Sequence, residues 1–173
     1  HYKKINDSVG IPIIIYNIPS RSVIDMSVET MSKLYELKNI TGVKDATGDL
    51  NRVDQQLKAM GKDFIQLTGN DDNALEFNKR GGVGAIGVTA NIAAKISSDF
   101  QKACEQKNEE AEKLDKLLQP LHSALFIESN PSPVKYAASL LGLCSSEARL
   151  PIVEIAEESK SNVKDALGKA GLL

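Results

Sequence analysis

The sequence predicts an α/β chain: a parallel sheet built from strand–helix units, followed by a tail of helices alone. Two patterns carry this reading. Short apolar runs at residues 11–17, 40–44, 64–68 and 83–89 begin about two dozen residues apart, which leaves room for a crossover helix between parallel strands. After Lys107 such runs stop, and apolar residues recur only at helical spacing.

Taken in order, residues 2–9 read as the end of a helix closed by Gly10. Residues 11–17 form a near-continuous apolar strand, the pattern of a strand covered on both faces. Pro19, Ser20 and Arg21 break it into a loop. Ser27 caps the next helix, with Glu29 in its first turn and Val28, Met31, Leu34, Tyr35 and Leu37 as its apolar stripe. The strand at 40–44 ends on Lys44. Gly48 and Asp49 open a helix with Leu50, Val53, Leu57 and Met60 on one face and Gly61 behind it. Residues 64–68 make the third strand. Asn70, Asp71 and Asp72 open a helix through Arg80, ended by Gly81 and Gly82, and residues 83–89 make the fourth strand before a helix at 92–106.

In the tail, Asn108 caps a helix whose stripe is Ala111, Leu114, Leu117, Leu118, Leu121 and Leu125, with Pro120 expected to kink or interrupt it. Ser132 caps a further helix with Pro133 in its first position and Gly142 as its stop. Residues 150–155 are a proline-bearing connector, and residues 156–170 form a last amphipathic helix. The expected division is therefore 1–107, sheet and helices, and 108–173, helices. Four strand–helix units are about half of a (β/α)8 barrel, which would leave two open edges and an uncovered inner face. The same units could also make a small doubly wound sheet.

The composition is that of an ordinary globular chain, 42% hydrophobic and 25% charged with a formal net charge of −2. Its basic residues are dispersed, so no nucleic-acid footprint is expected. No apolar run approaches a membrane span and no secretory signal pattern opens the chain, so no membrane partner and a cytoplasmic location are expected. Cys104 and Cys144 fall in helical patterns and are expected as buried, reduced thiols. The chain begins on His1 in what reads as the middle of a helix, so a longer protein is expected.

The chemistry centres on the strand Ile40, Thr41, Gly42, Val43 and Lys44. Alternation puts Gly42 and Lys44 on one face and Thr41 and Val43 on the other. An amine beside a gap, if partly desolvated, yields the neutral form that attacks carbonyls. A strand-end lysine reaching for water is the commoner meaning of such a residue. Tyr16, at the end of the first strand, is either a proton donor and acceptor or a plug of the sheet end. Arg21 is either a bidentate carboxylate clamp or a surface charge. All three fall at the C-terminal ends of parallel strands, where such folds place their active sites. The glycines at 82, 84 and 87 match G-x-G-x-x-G only as text: here the motif follows a helix and enters a strand, the reverse of a dinucleotide site. His122 reads as a structural histidine, Asp71 and Asp72 as helix-opening residues, and no spacing resembles a metal site.

Four segments carry a resemblance: Tyr16-Asn17-Ile18-Pro19-Ser20-Arg21, Gly42-Val43-Lys44-Asp45-Ala46-Thr47, Leu67-Thr68-Gly69-Asn70-Asp71, and Gly84-Ala85-Ile86-Gly87-Val88-Thr89-Ala90-Asn91. With Pro120-Leu121-His122 and Asn130-Pro131-Ser132-Pro133-Val134-Lys135, they resemble the dihydrodipicolinate synthase family of class I pyruvate-dependent aldolases. The resemblance implies the C-terminal half of a (β/α)8 TIM barrel followed by a small all-α domain. It implies that Lys44 forms an imine with pyruvate and that the enamine condenses with aspartate semialdehyde, giving 4-hydroxy-tetrahydrodipicolinate in lysine (diaminopimelate) biosynthesis. On the same basis Tyr16 passes protons, Arg21 holds the semialdehyde carboxylate, and the backbone of Ile86 lies against pyruvate. The imine needs no further cofactor, and the complete family enzyme is a homotetramer. N-acetylneuraminate lyases share the tyrosine and lysine segments, and Arg21 favours the synthase. The family's remaining relay residues belong to a preceding half-barrel, so a non-catalytic fragment is the alternative for these residues alone.

Overall fold

Ile15, Met31, Ile40, Val43 and Phe64 come from three strand regions and one helix, and they close into one buried cluster. That cluster is why the first part of the chain is a layer of strands under helices. The computed structural model describes all of His1–Leu173, as two compact units, His1–Ile86 and Gly87–Leu173. The strand–helix alternation of the sequence runs on to residue 107, while the compact units part at 86/87.

The first unit runs α1 (Tyr2–Ser8), β1 (Ile13–Asn17), α2 (Pro19–Ser22), α3 (Val28–Tyr35), β2 (Ile40–Asp45), α4 (Asn51–Met60), β3 (Ile65–Thr68) and α5 (Ala74–Lys79). The sheet is parallel, in the order β1-β2-β3. Ile13 pairs with Ile40 but Ile14 pairs with Gly42, so Thr41 is an extra residue on β2. This bulge resets the alternation. It lets Ile40 and Val43, three positions apart, both enter the helix-covered cluster.

Several local expectations are corrected. Gly10 does not close α1. Instead the Asn39 side-chain amide donates to the carbonyls of Asn6, at 2.9 Å, and Val9, at 2.7 Å. Pro19, Ser20 and Arg21 are not a loop but most of α2, with proline in its first turn and Val23 closing it in the left-handed region at φ 64°. Ser27 caps α3 as expected, accepting from the Thr30 amide at 3.1 Å. The fourth strand is not formed. Residues 83–86 bond alongside β3, through Val83 to Gln66 and Ile86 to Thr68, but only one isolated bridge, Thr68 with Ala85, results. Gly81, Gly82, Gly84 and Gly87 weaken the segment. A side chain at Gly82 would fall 2.1 Å from the Phe77 ring, so that glycine serves helix packing.

The second unit is helical: a 3-10 turn at Thr89–Asn91, then α6 (Ala94–Glu105), α7 (Glu110–Leu125), α8 (Ser132–Leu140) and α9 (Glu157–Lys169). α7 packs on α6 and α9, and α8 on α9. Pro120 does not interrupt α7, whose Leu118, Leu121 and Leu125 are fully buried around it. Ser132 is the first helical residue of α8 and donates to the Val153 carbonyl at 2.7 Å. His122 is buried and shares a 2.7 Å hydrogen bond with the Thr89 hydroxyl, a structural role. Neither cysteine is in a disulfide, but Cys144 is exposed and Cys104 only half-buried, so neither is the buried thiol expected. No helix is long and apolar enough to cross a membrane.

Candidate active site

Lys44 stands one residue before the end of β2, and its register partners are Tyr16 on β1 and Leu67 on β3. Alternation puts Ile15, Asn17, Val43, Asp45, Gln66 and Thr68 on the helix-covered side, and every one of them is buried. Ile14, Tyr16, Gly42, Lys44, Ile65 and Leu67 lie on the other side. That face is open: Tyr16 is 46% exposed and Ile65 38%.

The Lys44 Nζ lies over the Tyr16 ring, 4.0 Å from its centroid. An ammonium is attracted to the negative face of such a ring. Side-by-side pairing of parallel strands produces this contact directly, since a residue and its register partner share a face.

The gap beside the lysine is not where the sequence placed it. A methyl group at Gly42 would stand 2.2 Å from the Ile65 carbonyl oxygen, so Gly42 admits the β3 backbone. The space for the lysine stem is at Gly69, where a methyl group would stand 3.1 Å from Lys44 Cε and 2.8 Å from Ala46 Cβ.

Arg21 lies in the last turn of α2, just past the end of β1; it is exposed, and no hydrogen bond or ion pair within the chain engages its side chain. Ile86 donates its backbone N–H to the Thr68 carbonyl at 2.9 Å, at the C-terminal end of β3. Lys44 and Tyr16 are therefore in contact. Arg21 and Ile86 stand at the ends of the flanking strands, bonded to neither.

A buried polar network under this site escaped the sequence reading. Asp45 follows Lys44 and faces the helices, where Arg52 of α4 donates to it from Nε at 3.0 Å. Asp45 also accepts from the amide and hydroxyl of Thr47, at 2.9 and 2.6 Å. The same guanidinium reaches Asp25 at 3.3 Å and the Met26 carbonyl at 2.6 Å. Asn17 closes the ring, donating to Asp25 at 2.8 Å and accepting from the Met26 amide at 3.2 Å. The available signal was Arg52 and Gln56 on the same face of α4 as Val53. The structure buries these three, while Leu57 of the expected stripe is 37% exposed. No group of three or more His, Cys, Asp or Glu side chains is arranged to hold a metal ion.

Three parallel strands with helices on one face and polar side chains at their C-terminal ends define an α/β protein of strand–helix units, the arrangement from which (β/α) barrels are built. Within that class, residues 1–170 match the profile of the dihydrodipicolinate synthetase family, and the chain belongs to that family. It is 69% identical, over its whole length, to the 4-hydroxy-tetrahydrodipicolinate synthase of Pelagibacter ubique, of which it covers 60%. It is 54% identical to that of Afipia carboxidovorans, of which it covers 59%. The chain thus spans about 60% of the length of the curated relatives it matches. Among solved structures, it superposes with a TM-score of 0.95 at 40% identity on the chloride-inhibited dihydrodipicolinate synthase of Acinetobacter baumannii complexed with pyruvate, covering all of this chain and 60% of that one. The Aquifex aeolicus dihydrodipicolinate synthase matches at TM-score 0.95 and 37% identity, over 99% of this chain and 59% of that one. These neighbours share the α/β TIM-barrel fold.

Proposed function

We propose that the chain is the C-terminal half of a (β/α)8 barrel with its small helical domain, in a Schiff-base lyase that condenses pyruvate with aspartate semialdehyde to 4-hydroxy-tetrahydrodipicolinate. The single observation that carries the reading is the Lys44 amine lying over the Tyr16 ring on adjacent parallel strands. Lys44 Nζ attacks the keto carbon of pyruvate, and loss of water leaves an imine. The imine nitrogen withdraws electrons, so the pyruvate methyl loses a proton and becomes the enamine carbon. That carbon forms a bond to the aldehyde carbon of the semialdehyde, whose oxygen takes up a proton as a hydroxyl; the semialdehyde's own amine then attacks the imine carbon, closes the ring and expels the Lys44 amine, which is thereby regenerated. Tyr16 gives and takes protons at the carbonyl oxygen and at the new hydroxyl. Arg21 holds the semialdehyde carboxylate bidentately. The Ile86 backbone packs against pyruvate.

The imine is the electron sink, so the reaction needs no metal or organic cofactor. The complete protein is a cytoplasmic homo-oligomer, a tetramer by analogy with its family. Borohydride reduction of the protein expressed from its complete reading frame, in the presence of pyruvate, should leave a pyruvate-derived adduct on the peptide that carries Lys44. The Lys44→Arg variant should carry none. An adduct on another lysine, or none at all, would refute the assignment. Which aldehyde is then consumed separates the synthase from neuraminate lyase.

A further inference from the structure

The Arg52 guanidinium touches two segments that the proposed chemistry must hold in register. One is the end of the Schiff-base strand, through Asp45, next to Lys44. The other is the segment after α2, through Asp25 and the Met26 carbonyl. Residues 18–24 between β1 and Asp25 carry Arg21, and their two ends are tied together by Asn17, which bonds both Asp25 and Met26.

We infer that Asp25 and Arg52 are positioning residues for the second substrate: they fix the Arg21-bearing segment around α2 relative to Lys44, and so set the affinity for the aldehyde's carboxylate. The inference rests on the reading of Lys44 and Arg21 given above. Three observations support it. Arg52 is almost wholly buried, its side chain 10% exposed, and its three partners all lie on the two segments in question. The Arg21 side chain has no tie of its own within the chain. Val23, in the same segment, is 92% exposed and held at φ 64°. A β-branched residue resists that conformation unless its surroundings impose it; Val23 adopts it in closing α2, its N–H donating to the Pro19 carbonyl at 2.9 Å, within the segment whose ends Asn17 ties.

Asp25 allows a clean test, because its side chain is 49% exposed and lies outside the hydrophobic cluster. Asp25→Ala removes the side-chain ties of the segment to Asn17 and Arg52 and leaves the Asp45 bond to Arg52 and the two backbone bonds of Met26 in place. Asp25→Asn keeps the acceptor for Asn17 and removes only the charge facing Arg52. Both are made in the protein expressed from its complete reading frame, with steady-state kinetics in pyruvate and in aspartate semialdehyde and with borohydride trapping of pyruvate alone. The expected result is a KM for the semialdehyde raised at least tenfold in Asp25→Ala and by less in Asp25→Asn. The KM for pyruvate and the extent of Lys44 trapping should match the unsubstituted protein. Unchanged KM values for both substrates would overturn the inference. So would a uniform loss of kcat and of trapping in step with a lowered melting temperature, since that is what a merely structural residue produces. Failure of trapping in the unsubstituted protein would instead overturn the reading of Lys44, and this inference with it.

Discussion

A methyl group at position 69 would have to share space with two side chains, and one of them is the candidate nucleophile. Ala46 Cβ would lie at 2.8 Å, too close to tolerate, and Lys44 Cε at 3.1 Å. The lysine stem can move and the Ala46 Cβ cannot, so Gly69→Ala is expected to push the amine off the Tyr16 ring and to shift the backbone after β2 and β3 slightly apart. Overpacking of this kind costs about 1–3 kcal/mol. If about 1.4 kcal/mol of that falls on the barrier to imine formation, the borohydride-trappable adduct forms about tenfold more slowly. Stopped-time trapping with pyruvate measures this, and an unchanged rate would show that the gap at Gly69 is not what seats the lysine. Lys44, Tyr16 and Arg21 could be named as candidates from the sequence because each is a polar or charged side chain at or just past a strand end. The sequence did not show Gly69, because the closeness of Gly69 to Lys44 arises only when β3 pairs beside β2.

At the scale of elements, β2 and α4 are joined by a charge pair as well as by apolar packing. The Arg52 and Asp45 side chains are 10% and 6% exposed, so water screens their interaction little. Removing one partner strands the other. Arg52→Met, which retains most of the apolar stem, is expected to destabilise the fold by about 3–5 kcal/mol, because the buried Asp45 side chain loses its guanidinium partner and is left with only Thr47 to bond it. A shift of the denaturation midpoint at unchanged slope checks it, and a midpoint that does not move would mean the pair is energetically idle. This link was hidden in the sequence for a definite reason. Helical ion pairs announce themselves at spacings of three or four, whereas Arg52 bonds partners seven and twenty-seven residues away. The fourth strand failed for the opposite reason. Its short apolar run was visible and it bonds alongside β3, but its glycines leave few side chains to hold it as a strand.

At the scale of the whole molecule, strand–helix alternation and the later helices were legible because they rest on periodicity, which one chain contains in itself. The apolar stripe that packs α7 was legible too, but the polar contacts of the second unit were not, since they join residues distant in sequence. Glu128 is one. It accepts from the Ala156 amide at 2.9 Å, at the N-terminal cap of α9. The Ser159 side-chain hydrogen bond and then this amide hold its carboxyl below the ordinary value of 4.5. A carboxylate lowered in the folded state binds fewer protons there than in the unfolded chain. Its contribution is therefore full above about pH 4.5 and is lost as the pH falls through the lowered value. Lys160, raised chiefly by hydrogen bonding to Glu157 and then Glu154, has the opposite sign: its contribution is full below 10.5 and is lost only as the pH rises past its raised value. Across the neutral range both are intact. The Glu128→Gln variant should therefore melt below the unsubstituted protein at pH 7, and calorimetry at successively lower pH should show the two melting temperatures converging as Glu128 takes up its proton. A difference that stayed constant from neutral to acid would mean that shape and neutral hydrogen bonding, and not the carboxylate charge at the start of α9, make the contact.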